Sequence, residues 1–302
     1  MRIPFTGVGT ALVTPFRKDG SIDESAVRAL VRRQIDSGIH FVSPIGTTGE
    51  APTLSHTEKL RVVELVVAET NGKVPVLAGA GGYDTRGTIA LVRDIEKLGA
   101  DGILSVTPYY NKPTPEGLFQ HYKAIAESTS LPIVLYNVPG RAGVNMDAAL
   151  IARLAGIRNI VGVKEASGNV AQMAEIVATV PSEFILVSGD DALTIGAMGV
   201  GGRGVISVAS NVVPSEMAQM VELVEKNDWA AARKLYAWLL PLLQVNFVES
   251  NPIPVKAAMA AMGLLDENYR LPMVPPSAGA REKIMRVLQD LKLLGAAARV
   301  SR

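Results

Sequence analysis

Eight short β-branched runs recur along the first two thirds of the sequence, and amphipathic segments separate them. The runs follow one another at intervals of roughly 20 to 35 residues, the length of a strand–helix unit. Most are continuous apolar stretches, which is typical of parallel strands covered on both faces. The predicted strands are Gly9–Val13, His40–Pro44, Pro75–Gly79, Gly102–Val106, Pro132–Tyr136, Ile160–Lys164, Phe184–Ser188 and Gly204–Val208.

Eight repeats favour a closed (β/α)8 barrel over an open doubly wound sheet. We therefore predict an α/β fold with a TIM barrel over residues 1–210. Residues 211–302 are expected to form a helical C-terminal extension that packs on the barrel and supplies subunit contacts. Its predicted helices cover 214–226, 228–246, 253–262 and 280–294.

Local patterns also mark the starts of the first helices. Ser21–Glu24 and Ser55–Glu58 both have the form of a capping box, in which the two side chains bond reciprocally to backbone N–H groups. Asp84 or Thr85 is expected to cap a third helix. Gly38 is expected to end the first helix.

The composition excludes several classes of function. The chain has 30 Lys plus Arg and 29 Asp plus Glu, so it lacks the basic excess of a nucleic-acid-binding protein. It has no cysteine, which excludes disulfides, thiolate metal sites and a Cys nucleophile. The three histidines are scattered without an HExxH pattern, which argues against a zinc site. We predict a small, near-neutral substrate and no metal.

Apolar stretches along the chain are short. The first residues lack the apolar core of a signal peptide. The longest apolar runs, such as Leu235–Leu243, fall well below the roughly 20 residues that a membrane span requires. These features predict a cytoplasmic protein that does not bind membranes.

A lysine ends the sixth predicted strand, and catalytic groups of such barrels lie at the C-terminal ends of strands. Alternation along the strand would place Lys164 on one face with Gly162 and Ile160. If that face is the barrel interior, Gly162 leaves room for a long side chain. Desolvation favours a neutral amine, which can attack a ketone and form an imine. The alternative is a lysine that only marks the strand end and extends to solvent.

Three other predicted strand ends carry polar groups. Gly46–Glu50, inside an unusually long loop of about ten residues, could present backbone N–H groups to a carboxylate, or it could be a plain polar turn. Tyr136 could transfer a proton, and Arg141 could bind a carboxylate in bidentate fashion. A core aromatic and a solvated loop residue are their alternatives. Adjacent Tyr109 and Tyr110 are more typical of an interface than of catalysis.

Two further patterns receive structural interpretations. Asp190 and Asp191 could bind magnesium, but sequence neighbours point in different directions, and Asp190 is as well suited to cap the next helix. Gly199–Gly204 matches GxGxxG, the dinucleotide-binding pattern. It follows a predicted helix and leads into a strand, the reverse of the order that dinucleotide binding requires. We therefore predict a tight turn.

Seven motifs occur in order between Gly7 and Leu294: GTTGE, TPYYN, YNVPGRAG, VGVKEASGN, SGDDA, GGRGVISVASN and FVESNPIPVK. As a set they closely resemble the dihydrodipicolinate synthase family, lyases of lysine and diaminopimelate biosynthesis. The resemblance implies a homotetramer built from two tight dimers. It also implies the condensation of pyruvate with L-aspartate 4-semialdehyde, with no cofactor other than the covalent imine between pyruvate and a lysine.

The resemblance assigns the catalytic roles to four residues. Lys164 would form the imine with pyruvate. Tyr136 would act as general acid and base, and Thr47 would relay its proton to Tyr110 of the neighbouring subunit. The family therefore implies that the interface and catalytic interpretations of Tyr110 are compatible.

Substrate-binding roles follow from the same resemblance. Thr48, together with Thr47, would hold the pyruvate carboxylate, and Arg141 would bind the carboxylate of the semialdehyde. Gly189 and Ile206 would contribute backbone groups near the bound substrate. Relatives such as N-acetylneuraminate lyase and the keto-sugar-acid aldolases generally lack an arginine matching Arg141. They remain the alternative, as does a barrel that has lost catalysis or one that binds a phosphate.

Some family members are inhibited by lysine at the tight-dimer interface. His56 and Tyr109 match that site. Tyr83 stands where sensitive members have an asparagine, and Gly87 where they have a glutamate. Loss of that carboxylate removes the counter-charge for an ammonium group, so the sequence predicts weak or absent feedback by lysine.

Overall fold

The computed structural model describes residues 4–294, so the ends of the predicted regions 1–210 and 211–302 lie outside the described residues. Within them, eight parallel strands form one sheet in the order β2-β1-β8-β7-β6-β5-β4-β3. The strands are β1 Gly7–Ala11, β2 Phe41–Ser43, β3 Leu77–Gly79, β4 Gly102–Val106, β5 Ile133–Asn137, β6 Ile160–Glu165, β7 Ile185–Ser188 and β8 Gly204–Ser207.

Strands β2 and β3, at the two ends of that order, meet and close the sheet. Val42 and Val76 form a parallel bridge between them. Backbone bonds extend the contact, from Val42 N to Pro75 O and from Gly79 N to Pro44 O, both 3.0 Å. The predicted (β/α)8 barrel is therefore confirmed.

Helices alternate with the strands and continue after β8. They are α1 Glu24–Asp36, α2 His56–Thr70, α3 Thr85–Lys97, α4 Pro115–Ala126, α5 Pro139–Ala142, α6 Ala148–Ala155, α7 Val170–Thr179, α8 Thr194–Gly199, α9 Pro214–Glu225, α10 Trp229–Val245, α11 Ile253–Ala261 and α12 Ala278–Asp290. The four helices predicted after residue 210 are α9 to α12. Between residues 4 and 294, no helix combines the length and apolarity needed to cross a membrane.

One of the two predicted capping boxes is correct. Ser55 accepts from Glu58 N, and Glu58 accepts from Ser55 N, at the start of α2. The box predicted at Ser21 is wrong, because Asp23 is the residue that caps α1 and accepts from the backbone there at 3.1 Å. The Ser21 hydroxyl instead donates to Asp19 in the preceding turn. Helix α3 is capped by the Asp84 side chain.

Buried apolar residues form two clusters on the two sides of the sheet. The larger one packs the helices against the outside of the barrel. The smaller one fills the interior with residues from seven strands, and Val161 of β6 packs against it. Its buried members are Phe5, Ala11, Phe41, Leu77, Leu104, Val134, Tyr136, Val138, Ile185, Val187 and Ile206.

Strand β6 contains an irregularity that the sequence pattern did not reveal. Ile133 of β5 pairs with Ile160, but the next residue, Val134, pairs with Gly162, so Val161 is an extra residue in the ladder. The prediction that Ile160 shares a face with Lys164 is wrong, because Ile160 belongs to the outer cluster. An inserted residue of this kind reverses the inward and outward alternation on either side of it.

Strand β1 also differs from its prediction. It begins at Gly7, two residues before the predicted start, because Gly7 pairs with Gly204 of β8. The partner strand, rather than the apolar content of β1 itself, determines where the ladder begins.

Candidate active site

Lys164 and Tyr136 lie side by side at the C-terminal end of the barrel. They are direct partners in the β5–β6 ladder. The Lys164 Nζ atom is 4.2 Å from the centroid of the Tyr136 ring. The Lys164 residue is only 6% exposed, and among residues 4–294 its amine has no carboxylate within salt-bridge distance. A buried amine without a counter-charge beside a phenol is suited to nucleophilic attack on a carbonyl.

Space for the lysine side chain comes from Gly189, not from Gly162 as predicted. A Cβ atom on Gly189 would lie 3.1 Å from Lys164 Cε and 2.6 Å from the Cβ of Ala166. A Cβ atom on Gly162 would instead lie 2.3 Å from Cγ1 of Ile185, the interior residue that it pairs with on β7. Gly162 therefore makes room for the barrel core, and Gly189 for the lysine.

The loop after β2 has two adjacent backbone donors that its own turns do not use. Gly49 N donates to Gly46 O at 3.1 Å, and Glu50 N donates to Thr47 O at 3.0 Å. Across the described part of the chain, the N–H groups of Thr47 and Thr48 donate to no protein acceptor. Two neighbouring free N–H groups suit an anionic guest such as a carboxylate.

Side chains from the C-terminal extension hold this loop. Asn251 Nδ2 donates to the Thr48 hydroxyl at 2.9 Å, and Lys256 Nζ contacts a Glu50 carboxylate oxygen at 2.6 Å. Neither Asn251 nor Lys256 was assigned a role from the sequence. The only available signal was their presence in the motif FVESNPIPVK.

A cavity of about 230 Å³ opens beside the loop. Its walls include Thr47 and Tyr136, and Arg141 lies in the same wall region. Lys164 and Thr48 do not line it, although Lys164 packs against the Tyr136 ring. The other residues that line the cavity are Ile45, Gly46, Ala51, Pro52, Lys59, Gly79, Ala80, Gly81, Leu91, Leu104, Val106, Tyr109, Val138 and Ala142.

Of the residues that the structure describes, two cations and no acidic side chain line this cavity. Arg141, on the short helix α5, donates to the backbone oxygen of Asn251 at 3.3 Å. Lys59, on α2, was not singled out from the sequence, and burial lowers its pKa. The positive lining favours substrates that carry carboxylates.

The two adjacent tyrosines after β4 separate. Tyr109 lines the cavity, whereas Tyr110 is 90% exposed and does not line it. Tyr110 also has a φ of +73°, a backbone region that side-chain-bearing residues rarely occupy. The structure of one chain therefore does not bring Tyr110 to Tyr136 or Thr47.

The residues matched to a lysine-binding site are only partly brought together. The rings of Tyr83 and Tyr109 make an edge-to-face contact with centroids 5.5 Å apart. Burial, with a smaller effect of Tyr83, raises the pKa of Tyr109. His56 contacts Asp94 of α3 at 3.1 Å. Gly87 lies in the first turn of α3, where its N–H donates to the Asp84 cap.

The acidic pair after β7 stabilises local backbone. Asp190 caps the short 3₁₀ helix Asp191–Leu193, accepting from Ala192 N at 2.9 Å, in line with its predicted capping role. Asp191 Oδ2 accepts from the N–H groups of Val208 and Ala209 at 3.0 and 2.9 Å. Burial raises the pKa of Asp191. These bonds fix the chain just after Ile206.

The GxGxxG segment joins a helix to a strand, as predicted. Gly199 is the last residue of α8, and Gly204 is the first residue of β8. Ile206 lies two residues further on, fully buried in the interior cluster.

A lysine and a tyrosine paired at the open end of a (β/α)8 barrel, next to an anion-accepting loop, are the arrangement of a Schiff-base-forming lyase. A family model described as "Dihydrodipicolinate synthetase family" matches residues 4–291. The chain belongs to the dihydrodipicolinate synthetase family, which confirms the resemblance noted in its motifs.

Individual relatives match over almost their whole length. A 4-hydroxy-tetrahydrodipicolinate synthase of Koribacter versatilis is 51% identical over 289 residues, 95% of this chain and 96% of the relative. The crystal structure of dihydrodipicolinate synthase from Thermotoga maritima superposes with a TM-score of 0.95 at 44% identity, covering 97% and 100% of the two chains. The Acinetobacter baumannii enzyme, solved in complex with pyruvate, has a TM-score of 0.94 at 42% identity, covering 96% and 99%.

Proposed function

We propose that this chain is a 4-hydroxy-tetrahydrodipicolinate synthase, which condenses pyruvate with L-aspartate 4-semialdehyde. The observation that carries the proposal is the pairing of Lys164 with Tyr136, 4.2 Å between amine and ring centroid, beside the two free N–H groups of Thr47 and Thr48. The 51% identity to an enzyme of that name, over 95% of this chain, supports the same reaction.

The chemistry begins with attack of the Lys164 amine on the keto carbon of pyruvate. The N–C bond forms, the carbonyl oxygen leaves as water, and the protonated imine makes the adjacent methyl group acidic. Loss of a methyl proton gives an enamine, whose carbon attacks the aldehyde. Tyr136 transfers protons at this carbon and at the departing oxygen. The N–H groups of Thr47 and Thr48 hold the pyruvate carboxylate during these steps.

Arg141 supports a carboxylated aldehyde as the second substrate. It lines the cavity together with Tyr136 and Thr47, and no acidic side chain between residues 4 and 294 lines that cavity. An arginine can bind a carboxylate through two parallel hydrogen bonds. A polyhydroxylated sugar chain would make no comparable use of this cation, so the structure favours the synthase over the sugar-acid aldolases.

The exposed Tyr110 supports the oligomer in the proposal. A tyrosine that is 90% exposed in one chain can reach the site of a second chain across a dimer interface. We therefore include in the proposal a homotetramer built from tight dimers, with Tyr110 and Thr47 completing the proton relay. The cytoplasmic location stays a prediction of the sequence.

Consumption of pyruvate with a panel of aldehydes tests the proposal. The panel contains L-aspartate 4-semialdehyde, N-acetylmannosamine and glyceraldehyde, with Lys164→Ala as the blank. We expect turnover with the semialdehyde only, and Arg141→Met should raise the KM for the semialdehyde about tenfold or more. Turnover with a sugar instead would contradict the synthase assignment and leave the Schiff-base barrel in place.

A further inference from the structure

We infer that the buried ion pair between Glu50 and Lys256 positions the pyruvate-binding loop, and that this is its role in the enzyme rather than stabilisation of the fold. The inference rests on the proposed function, because the pyruvate carboxylate is the expected guest of that loop. Glu50 follows directly after Thr47, Thr48 and Gly49, so its side chain is the nearest anchor on the C-terminal side of the two free N–H groups.

The pair is unusual among the ion pairs of residues 4–294. Its two side chains are 0% and 1% exposed, and every other ion pair there has at least one partner that is clearly more exposed. Nζ of Lys256 lies 2.6 Å from Oε1 of Glu50 and donates to the Thr14 carbonyl at 3.1 Å. It also lies 4.5 Å from the ring centroid of Phe16.

Burial on this scale makes the pair a poor source of stability. Two charges lose their hydration, and replacing a buried ion pair with apolar side chains of similar volume is often neutral or stabilising. What the pair supplies is a fixed geometry, since both charges must lie together at one place in the interior.

The pair holds the backbone turn at Glu50 in place. Glu50 has a φ of +53°, in the left-handed region that a residue with a side chain occupies only when its surroundings impose it. Thr14 also stabilises this turn, because its hydroxyl donates to the Gly49 carbonyl at 2.7 Å. Lys256 and Thr14 therefore fix residues 49 and 50 together, and the direction of the preceding N–H groups follows from that turn.

The test measures how much pyruvate is needed to form the imine. The full-length protein is incubated with a series of pyruvate concentrations, reduced with borohydride, and the trapped adduct is measured by mass spectrometry. This readout uses no aldehyde, so it separates pyruvate binding from the later steps. The variant Glu50→Leu/Lys256→Met replaces the pair with apolar side chains of similar size. Glu69→Leu is the control. Glu69 lies near the C-terminal end of α2, and its largely buried carboxylate pairs with Arg28 and Arg32.

We expect the double variant to melt within a few degrees of the wild type and to reach the same adduct level at saturation. Its half-saturating pyruvate concentration should rise about tenfold or more, as for a misplaced contact to a carboxylate. The Glu69→Leu control should keep the wild-type value. An unchanged value in the folded double variant, or an equal rise in the control, would overturn the inference.

If the double variant does not fold, Glu50→Gln/Lys256→Met provides the same test, because it breaks the pair without leaving an unpaired buried charge and keeps at position 50 a side chain that can accept from the N–H of Arg270. A rise in half-saturating pyruvate for this variant supports the positioning role, and no rise contradicts it. A wild-type protein that traps no adduct at all would contradict the proposed function instead.

Discussion

The amine of Lys164 lies 4.2 Å from the ring centroid of Tyr136, and the two residues face each other across the β5–β6 ladder. The ladder fixes their separation, since both side chains come from directly hydrogen-bonded strands at the same level of the barrel. No movement of loops is therefore needed to bring the amine and the phenol ring together.

Lys164→Ala should reduce turnover about 1000-fold or more, because it removes the amine that is expected to form the imine. The trapped pyruvate adduct, measured by mass spectrometry after borohydride reduction, should disappear with it. Lys59→Ala is the matched control, since Lys59 is a lysine that lines the cavity together with Tyr136, and burial lowers its pKa. An adduct that persists in Lys164→Ala and is lost in Lys59→Ala would reassign the nucleophile.

Gly189→Ala should lower kcat about tenfold, which corresponds to roughly 1.4 kcal/mol of transition-state stabilisation. The added methyl group would lie 2.6 Å from the Cβ of Ala166 and 3.1 Å from Cε of Lys164, so the lysine must move. Steady-state kinetics with the purified variant measure the effect. In the control Gly279→Ala, the new methyl group enters open space on α12 and kcat should stay at the wild-type value.

Tyr110→Phe should lower kcat about a hundredfold, the usual size of a proton-transfer contribution. The decisive measurement mixes Tyr110→Phe with Lys164→Ala and allows their subunits to exchange. If Tyr110 acts across the dimer, each mixed dimer contains one site with an intact lysine and an intact partner tyrosine. Activity should then return on mixing. Mixtures that stay as inactive as the separate variants would show that Tyr110 does not act across the dimer.

Added L-lysine should inhibit weakly or not at all. Gly87 offers no carboxylate to an ammonium group, and Lys59 places a cation in the cavity that Tyr109 lines. A missing charge-assisted contact costs about 1.5–3 kcal/mol of binding, or roughly ten- to a hundredfold in affinity. Initial rates across a lysine titration measure the effect, and half-inhibition at sub-millimolar lysine would show the prediction to be wrong.

His121 should make the stability of the fold sensitive to mild acid. Burial lowers its pKa to about 4, and its Nδ1 contacts the Thr85 hydroxyl at 2.9 Å. The folded state therefore keeps this histidine neutral, while the unfolded chain binds a proton below pH 6.5 or so. The free energy of unfolding therefore has its full value above that pH. It decreases as the pH falls towards 4, by about 3 kcal/mol in total.

Urea unfolding at several pH values between 4 and 7 measures this loss. His121→Gln should flatten the dependence in that range by about the same amount. A His121→Gln variant that keeps the full slope would assign the acid sensitivity to other groups.

The local sequence determined the strand–helix alternation and the residues at the strand ends. A strand can be recognised from a continuous apolar run of the right length, and this recognition needs no information about distant residues. The same is true of the Ser55–Glu58 capping box. Lys164 and Tyr136 could be placed at the open end of the barrel because all parallel strands of such a barrel end there.

The features that depend on a neighbouring strand were decided only by the tertiary structure. The extra residue Val161 in β6 changes which face Ile160 occupies, and a rule of strict alternation cannot include it. For the same reason Gly162 accommodates Ile185 of the next strand, while Gly189, on the loop after β7, provides the space for Lys164.

The side chains that support the loop after β2 come from the part of the chain furthest from it in sequence. Asn251 reaches Thr48 across 203 residues of chain, and Lys256 reaches Glu50 across 206. Sequence patterns report periodicity within one element, whereas these contacts form only when the C-terminal helices fold back over the barrel. The side chains of the candidate site therefore follow from the sequence at the strand ends. Their exact placement depends on the packing of a segment that is distant in sequence.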